Sequence, residues 1–100
     1  MKRQALDNGK WFDLDSATAF AEEATFDGNN YISEATGSQW DHQELYRTKS
    51  GKWILHHWTQ WQGSRDTWEE IDGNTAAKWL VKNDHDPHEA CASEYAALEI

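Results

Sequence analysis

A tryptophan-rich segment from Gln43 to Asp72 carries the strongest fold signal in the chain. Two runs rich in Tyr, Trp, Ile and Thr, Glu44–Thr48 and Lys52–Thr59, flank the turn sequence Lys49-Ser50-Gly51. Runs of this kind favour extended strands, and a glycine at the third loop position accepts the left-handed conformation that a three-residue hairpin loop needs. The segment therefore predicts a β-hairpin, which Thr67–Ile71 extends to a three-stranded meander.

The segment before the meander predicts a strand, a helix and a second strand. Lys10–Asp15 alternates like a short strand, and Tyr31–Ala35 has the composition of another. Between them, Asp15 or Ser16 can cap a helix that Gly28 ends. The apolar positions of this helix recur with the i, i+3, i+4, i+7 spacing of an amphipathic stripe, at Ala17, Phe20, Ala21 and Ala24.

The segment after the meander predicts two helices. Asp72 can cap the first, whose apolar face consists of Ala77, Leu80 and Val81. For the second, Asp86 at the N-cap, Pro87 and Glu89 form a capping-box pattern. The apolar stripe of this last helix is formed by Cys91, Tyr95 and Leu98.

The predicted fold class is α+β, with helices on one face of a mostly antiparallel sheet of about four to five strands. One hundred residues are enough for one domain with a modest core, and residues 1–9 form a polar lead-in to it. Seven tryptophans compensate for a low share of aliphatic residues. Cys91 is the only cysteine, which excludes an intrachain disulfide, and no apolar run is long enough for a signal peptide or membrane span. We therefore expect a cytoplasmic protein.

The candidate catalytic and metal-binding residues are better explained by structural roles. His56 and His57 are adjacent in a strand and must point to opposite faces of the sheet, so they cannot bind one ligand together. His85, His88 and Cys91 have a spacing that could suit zinc, but a cap and a buried thiol explain them, since no second cysteine completes a standard site. The chain contains no phosphate-binding glycine loop, nucleophile elbow or H-E-x-x-H motif. We expect no cofactor, no metal and no enzymatic activity.

The charge distribution points to a protein partner. The formal net charge is −9, and residues 11–46 carry eight acids and no Lys or Arg. The bases lie near the N-terminus and around the meander's first turn, at Lys2, Arg3, Lys10, Arg47, Lys49 and Lys52. An acidic field repels phosphate groups, so we expect no direct contact with nucleic acid or with an anionic membrane, and it attracts basic proteins. The simpler interpretation is that the acidity only keeps the protein in solution.

Size and charge together give a profile that resembles the small acidic inhibitors of phages and plasmids, such as anti-CRISPR proteins and other DNA mimics. The resemblance implies that carboxylates imitate phosphates in the basic groove of a nucleic-acid-binding protein, with an exposed tryptophan as anchor. The residues predicted to contact the partner are Glu22, Glu23, Asp27, Glu34, Asp41, Glu44, Trp40, Trp58 and Trp61.

Two alternatives remain open. A carbohydrate- or peptide-binding module would use Trp58 and Trp61 as a stacking platform. An antitoxin-like or housekeeping protein would fold or dimerise with one cognate protein through the hairpin or the alanine-rich last helix. A homodimer is also left open.

Overall fold

A computed structural model describes residues 1–60 and 65–100, so Trp61, one of the predicted contact residues, lies outside the described residues. The helices are α1 (Gly73–Lys82), a 3-10 helix (Glu89–Cys91) and α2 (Ala92–Ala97). The strands are β1 (Arg3–Ala5), β2 (Trp11–Asp13), β3 (Thr18–Ala21), β4 (Ala24–Phe26), β5 (Tyr31–Ser33), β6 (Asp41–Arg47), β7 (Trp53–Thr59) and β8 (Thr67–Ile71).

The main sheet is antiparallel and has four strands in the order β3-β6-β7-β8. The predicted meander β6-β7-β8 is confirmed, with Arg47 opposite Trp53 at the closed end of its first hairpin. In the turn, the Thr48 N–H donates to the Lys52 carbonyl over 2.8 Å, and Gly51 has a φ of 90°. Glycine is suited to this position because its missing Cβ removes the steric cost of positive φ.

Two further hairpins lie outside the main sheet. β4 pairs with β5, and β1 pairs with β2. The strands predicted at Lys10–Asp15 and Tyr31–Ala35 are thus present in shorter form, as β2 and β5. The polar lead-in predicted for residues 1–9 contains β1 and the buried Leu6.

The helix predicted between its cap at Asp15 or Ser16 and its end at Gly28 is wrong, because the chain forms β3 and β4 there. Asp15, one of its predicted caps, lies in a turn in which its N–H donates to the Asp13 carboxylate over 3.1 Å. β3 pairs along β6, and the ring of Phe20 lies 5.9 Å from that of Trp53. Periodicity alone does not separate a short apolar strand from a helix segment. Pairing decides the outcome, with β6 for β3 and with β5 for β4.

Helix α1 is confirmed, together with its cap. The Asp72 carboxylate accepts a hydrogen bond of 2.8 Å from the Thr75 N–H, which is the usual role of an N-cap side chain. Leu80 is buried as expected, but Val81 is 45% exposed and therefore does not belong to the apolar face. The other buried residues of α1 are Ala76, Ala77 and Trp79.

The last helix begins later than the sequence predicts. Asp86 is not its cap, since the 3-10 helix starts at Glu89 and His88 accepts a hydrogen bond from the Ala90 N–H. The apolar stripe nevertheless packs as expected. Cys91 is fully buried, and Tyr95 and Leu98 lie against the same core.

A hydrophobic core lies on each face of the main sheet. On one face, Leu45 and Trp53 pack against α1 and the 3-10 helix. On the other, Ile54 packs against Leu6 and Phe12 of the β1–β2 region. The adjacent β7 residues thus face opposite cores, as expected from strand alternation. The protein has the predicted α+β fold, with its helices on one face of the main sheet. No helix in the described ranges has the length and apolarity that crossing a membrane requires.

Candidate functional site

The hairpin of β4 and β5 with one flanking residue at each end, termed the arm (residues 23–34), is closed by the turn Asp27-Gly28-Asn29-Asn30. The Asp27 carboxylate accepts hydrogen bonds from the N–H groups of Asn29 (2.9 Å) and Asn30 (2.8 Å), and Gly28 has a φ of 105°. Short side chains that bind nearby backbone amides favour turns of this kind. The bonds from Asn30 and Asn29 lower the pKa of Asp27 below its ordinary value, so its carboxylate is charged at neutral pH.

One face of the arm carries an exposed aromatic pair. Phe26 lies directly opposite Tyr31, and their ring centroids are 5.1 Å apart with planes tilted by 40°. The two residues are 56% and 68% exposed, respectively. Large aromatic side chains so exposed, and next to each other, are typical of partner-binding surfaces.

The opposite face of the arm is acidic. Strand alternation places Glu23, Thr25 and Asp27 on the side away from Phe26, and Glu34 joins them because its N–H donates to the Glu23 carbonyl over 2.8 Å. The Thr25 hydroxyl donates to the Glu34 carboxylate. Glu23 and Asp27 are exposed, and Glu34 is half-buried.

Asn83 ties the base of the arm to the end of α1. Its side-chain oxygen accepts a hydrogen bond of 3.1 Å from the Glu23 N–H, and its amide nitrogen donates to the Trp79 carbonyl over 2.9 Å. Asn83 is 2% exposed. A buried amide with bonds on both sides holds two elements in a fixed relation. The sequence indicates only a helix end at this residue.

Glu22 lies inside the structure rather than on its surface. Its carboxylate accepts hydrogen bonds from the Ser33 hydroxyl (2.6 Å) and the Gln43 N–H (2.9 Å), and it lies 2.5 Å from Nδ1 of His42. The Glu22 side chain is 15% exposed. This carboxylate joins β3, the arm and β6, and it is not displayed as an imitation of a phosphate would be.

Asp41 and Glu44 are both half-buried in β6. The backbone of Asp41 is held by two hydrogen bonds, from the Thr36 hydroxyl to its carbonyl (2.7 Å) and from its N–H to the Ser38 hydroxyl (3.3 Å). Burial, the charge of Glu44 and a hydrogen bond with Glu44 raise the pKa of Tyr46 to about 12. Glu44 therefore acts on a neighbour within the sheet.

The predicted tryptophans occupy different environments. Trp40 is 42% exposed in the turn before β6, where its carbonyl accepts the Gln60 N–H over 2.9 Å. Trp58 is half-buried and stacks on His42 and His56, with ring centroids 5.6 and 4.8 Å away. Trp40 is the more exposed of these two tryptophans.

His42, Trp58, His56 and Trp68 form a ladder of stacked rings on the face of the sheet away from the helices. The planes of His56 and Trp68 are 9° apart at a centroid distance of 3.7 Å. His56 also pairs with Asp66, with 2.9 Å between Nε2 and Oδ2. The free ring nitrogens, Nε2 of His42 and Nδ1 of His56, are buried and have no hydrogen-bond partner among the described residues. A carboxylate thus orients each imidazole, as in many catalytic sites, but the other nitrogen is covered and not offered to a substrate.

The three residues with possible zinc spacing have structural partners. Nε2 of His85 donates to the Ala21 carbonyl over 2.6 Å, and Nδ1 of His88 accepts the Ala90 N–H over 3.1 Å. Cys91 is buried in the helix-side core, and burial raises the pKa of its thiol. Within residues 1–60 and 65–100, no three His, Cys, Asp or Glu side chains are grouped so as to hold a metal ion.

The basic residues gather at the other end of β6 from the arm. Glu22 at the base of the arm contacts the start of this strand, while Arg47 ends it, about 20 Å away at ordinary strand rise. The guanidinium of Arg47 lies over the ring of Trp53 at 5.2 Å. A cleft of about 230 Å³ brings Lys10 and Lys52 together there. Basic side chains are therefore concentrated at this end, where Glu70 also lines the cleft and Asp15 pairs with the N-terminal amino group. Lys82 lies near the arm instead and donates to the Ala35 carbonyl.

Comparison with protein-family models, with curated proteins and with solved structures found no match. No relative therefore assigns a role to the arm, to the ring ladder or to the basic end.

Proposed function

We propose that this protein binds a basic surface of another protein through the arm. We further propose that its partner is a nucleic-acid-binding protein, whose phosphate-binding groove the arm occupies, so that the protein acts as an inhibitor in the manner of DNA mimics and anti-CRISPR proteins.

The observation that carries this proposal is the exposed acidic face of the arm, in a segment of the chain without Lys or Arg. The arm displays the carboxylates of Glu23 and Asp27 on a projecting hairpin, and no Lys or Arg occurs between residues 11 and 46. Such a field speeds the encounter with a positive surface and selects against negative ones. A groove that binds phosphates is positive by construction, which makes it complementary to the arm.

The contact surface in this proposal is smaller than the one that the sequence suggests. Glu22 is excluded from it because its carboxylate bonds to three other residues of the chain. The exposed carboxylates of Glu23 and Asp27 remain, with Glu34 beside them.

The carbohydrate alternative receives less support from the geometry. Trp58, one half of the expected stacking platform, already stacks on His42 and His56. Its other half, Trp61, lies outside the described residues. The arm presents exposed charge and exposed rings together, which suits a protein surface better than a sugar.

The test is a pull-down from nuclease-treated host lysate with the protein and with a double variant, Glu23→Lys with Asp27→Asn. Asparagine keeps the oxygen that caps the arm turn, so the variant alters charge without removing the turn. We expect a nucleic-acid-binding protein that the natural chain retains at low salt, that duplex DNA displaces, and that the variant loses.

The matched control is Glu99→Lys with Glu69→Gln, which changes the net charge equally. Both residues are exposed, and β8, which carries Glu69, lies at the opposite edge of the main sheet from β3. Retention of the partner by the control and its loss by the arm variant support the proposal. Equal retention by both variants contradicts it.

A further inference from the structure

The aromatic face of the arm is a second recognition element, distinct from the carboxylates. We propose that Phe26 and Tyr31 form an anchor for an arginine side chain of the protein partner. This inference rests on the proposed function, because it names the side chain of the partner's basic groove that the arm contacts.

The exposure of the two rings gives the first argument. Phe26 and Tyr31 are each more than half exposed, and every residue of β4 is exposed. Exposed aromatic surface of this extent, rimmed by polar groups, gains free energy when a partner covers it. The rings contact each other across a strand pair and therefore form one continuous surface.

Charge complementarity indicates which chemical group of a partner contacts the rings. A cation attracted to the arm meets aromatic rings on one face and carboxylates on the other. The ring faces of Phe and Tyr attract a cation within about 6 Å of the centroid, more often a guanidinium than an ammonium. Arginine stacks its planar group on a ring and is more weakly hydrated than lysine, so it loses less on leaving water.

The same chain contains two examples of this contact. The guanidinium of Arg3 lies 5.3 Å from the ring of Trp11, and that of Arg47 lies 5.2 Å from the ring of Trp53. Both guanidinium–ring contacts lie at the basic end of the molecule. At the acidic end, the Phe26–Tyr31 pair lies within the span that supplies no Lys or Arg, so the cation has to come from outside this segment.

The two faces of the arm contribute to binding in different ways. The carboxylates of Glu23 and Asp27 attract any cation at long range, and this attraction weakens as salt rises. The rings distinguish arginine from lysine at contact. This part is less sensitive to salt because the stacked guanidinium and rings are partly buried and therefore screened less. The proposal therefore predicts that the affinity for a cationic partner falls as salt rises, whereas the preference for arginine over lysine persists.

The experiment uses two defined probes, a short Arg-Gly repeat peptide and the Lys-Gly peptide of equal length. Each is titrated into the isotopically labelled protein, and chemical shifts are followed residue by residue. We expect the Arg peptide to bind about two- to fivefold more tightly than the Lys peptide, with the largest shifts at Phe26 and Tyr31. The preference should persist at high salt while both affinities fall.

The variant that tests the anchor is Phe26→Ala with Tyr31→Ala, and its control is Tyr31→Phe, which keeps both rings. We expect the double variant to bind the two peptides equally and the control to keep the preference. An unchanged preference in the double variant, equal binding of both peptides to the natural chain, or shifts centred elsewhere would each overturn the proposal. The amide spectrum of each variant confirms that it is folded.

The outcomes of the two proposals are separable. If Glu23→Lys with Asp27→Asn loses the lysate partner while the double alanine variant keeps it, the anchor is wrong and the acidic surface stands. If neither variant loses the partner, both proposals fail. Preferential shifts of Phe26 and Tyr31 with a neutral oligosaccharide would assign the aromatic face to sugars and overturn the anchor.

Discussion

The hairpin of β6 and β7 and the arm are both antiparallel ribbons closed by a turn that contains a glycine with positive φ. The first lies in the middle of the main sheet, and it buries Leu45 and Trp53 in one core and Ile54 in the other. The arm lies outside that sheet and exposes both of its aromatic rings. The β6–β7 hairpin stabilises the fold because its side chains are buried. The arm has exposed side chains and is therefore available to a partner.

The largest expected effect is on the buried hairpin. Leu45→Ala should lower the free energy of unfolding by about 3 kcal/mol, because Leu45 is fully buried and the helices cannot close the space it leaves. Urea denaturation measures the change. Val81→Ala, a truncation at an exposed position of α1, should change the stability by less than about 0.5 kcal/mol. Similar losses in both variants would show that burial does not separate them.

Glu22 connects the two regions, and its removal should affect both. Glu22→Ala leaves the Ser33 hydroxyl and the Gln43 N–H without their acceptor, at a cost of about 2 kcal/mol. We also expect faster hydrogen exchange in the arm, since the tie from Ser33 to β3 is lost. Glu22→Gln keeps one acceptor oxygen and should lose less. Unchanged exchange in the arm of the alanine variant would mean that Asn83 alone holds it.

Two aspartates with lowered pKa values, one at the start of α1 and one in the arm, allow the pH dependence of stability to be compared between the core and the arm. The hydrogen bond from the Thr75 N–H lowers the pKa of Asp72 below its ordinary 3.8, and the turn amides do the same for Asp27. A carboxyl with a lowered folded pKa contributes stability above the unfolded value and loses it as the pH falls through the folded value. The stability difference between the natural chain and Asp72→Ala should therefore become smaller in acid. Asp27→Ala should change global unfolding less than Asp72→Ala does and should speed hydrogen exchange in the arm.

The smallest expected effect on stability belongs to the aromatic pair. Phe26→Ala with Tyr31→Ala should change the free energy of unfolding by less than about 1 kcal/mol, since the rings mainly contact each other. Thermal denaturation followed by tryptophan fluorescence measures this change, because neither residue is a tryptophan. A loss as large as that of Leu45→Ala would mean that the arm supports the core after all.

Local signals in the sequence predicted the central part of the fold. The turn glycine Gly51 and the alternating runs beside it specify β6 and β7, and Asp72 specifies the start of α1. These features depend on neighbours in the chain, which the sequence displays directly. The stripe from Ala17 to Ala24 failed because its spacing suits a helix, whereas its structure depends on pairing with β6, more than twenty residues away in sequence at Ala21 and Glu44.

The candidate site was predicted in part for the same reason. Asp27 and Glu23 were named from charge alone, and both are exposed. The role of Glu22 depends on partners 11, 20 and 21 residues away, which no local pattern reveals. Phe26 and Tyr31 were missed although a turn sequence separates them, because the predicted helix hid the strand that places them opposite each other.

The burial of Cys91 makes its thiol a natural probe of how often the helix-side core opens. Its thiol lies fully covered between the sheet and the helices, and burial raises its pKa, so the reactive thiolate is scarce in the folded state. A thiol reagent can attack it only when the helix-side core separates, and Cys91 is the only cysteine in the chain. The rate of labelling at this one atom therefore reports how often the core opens, without any engineered probe.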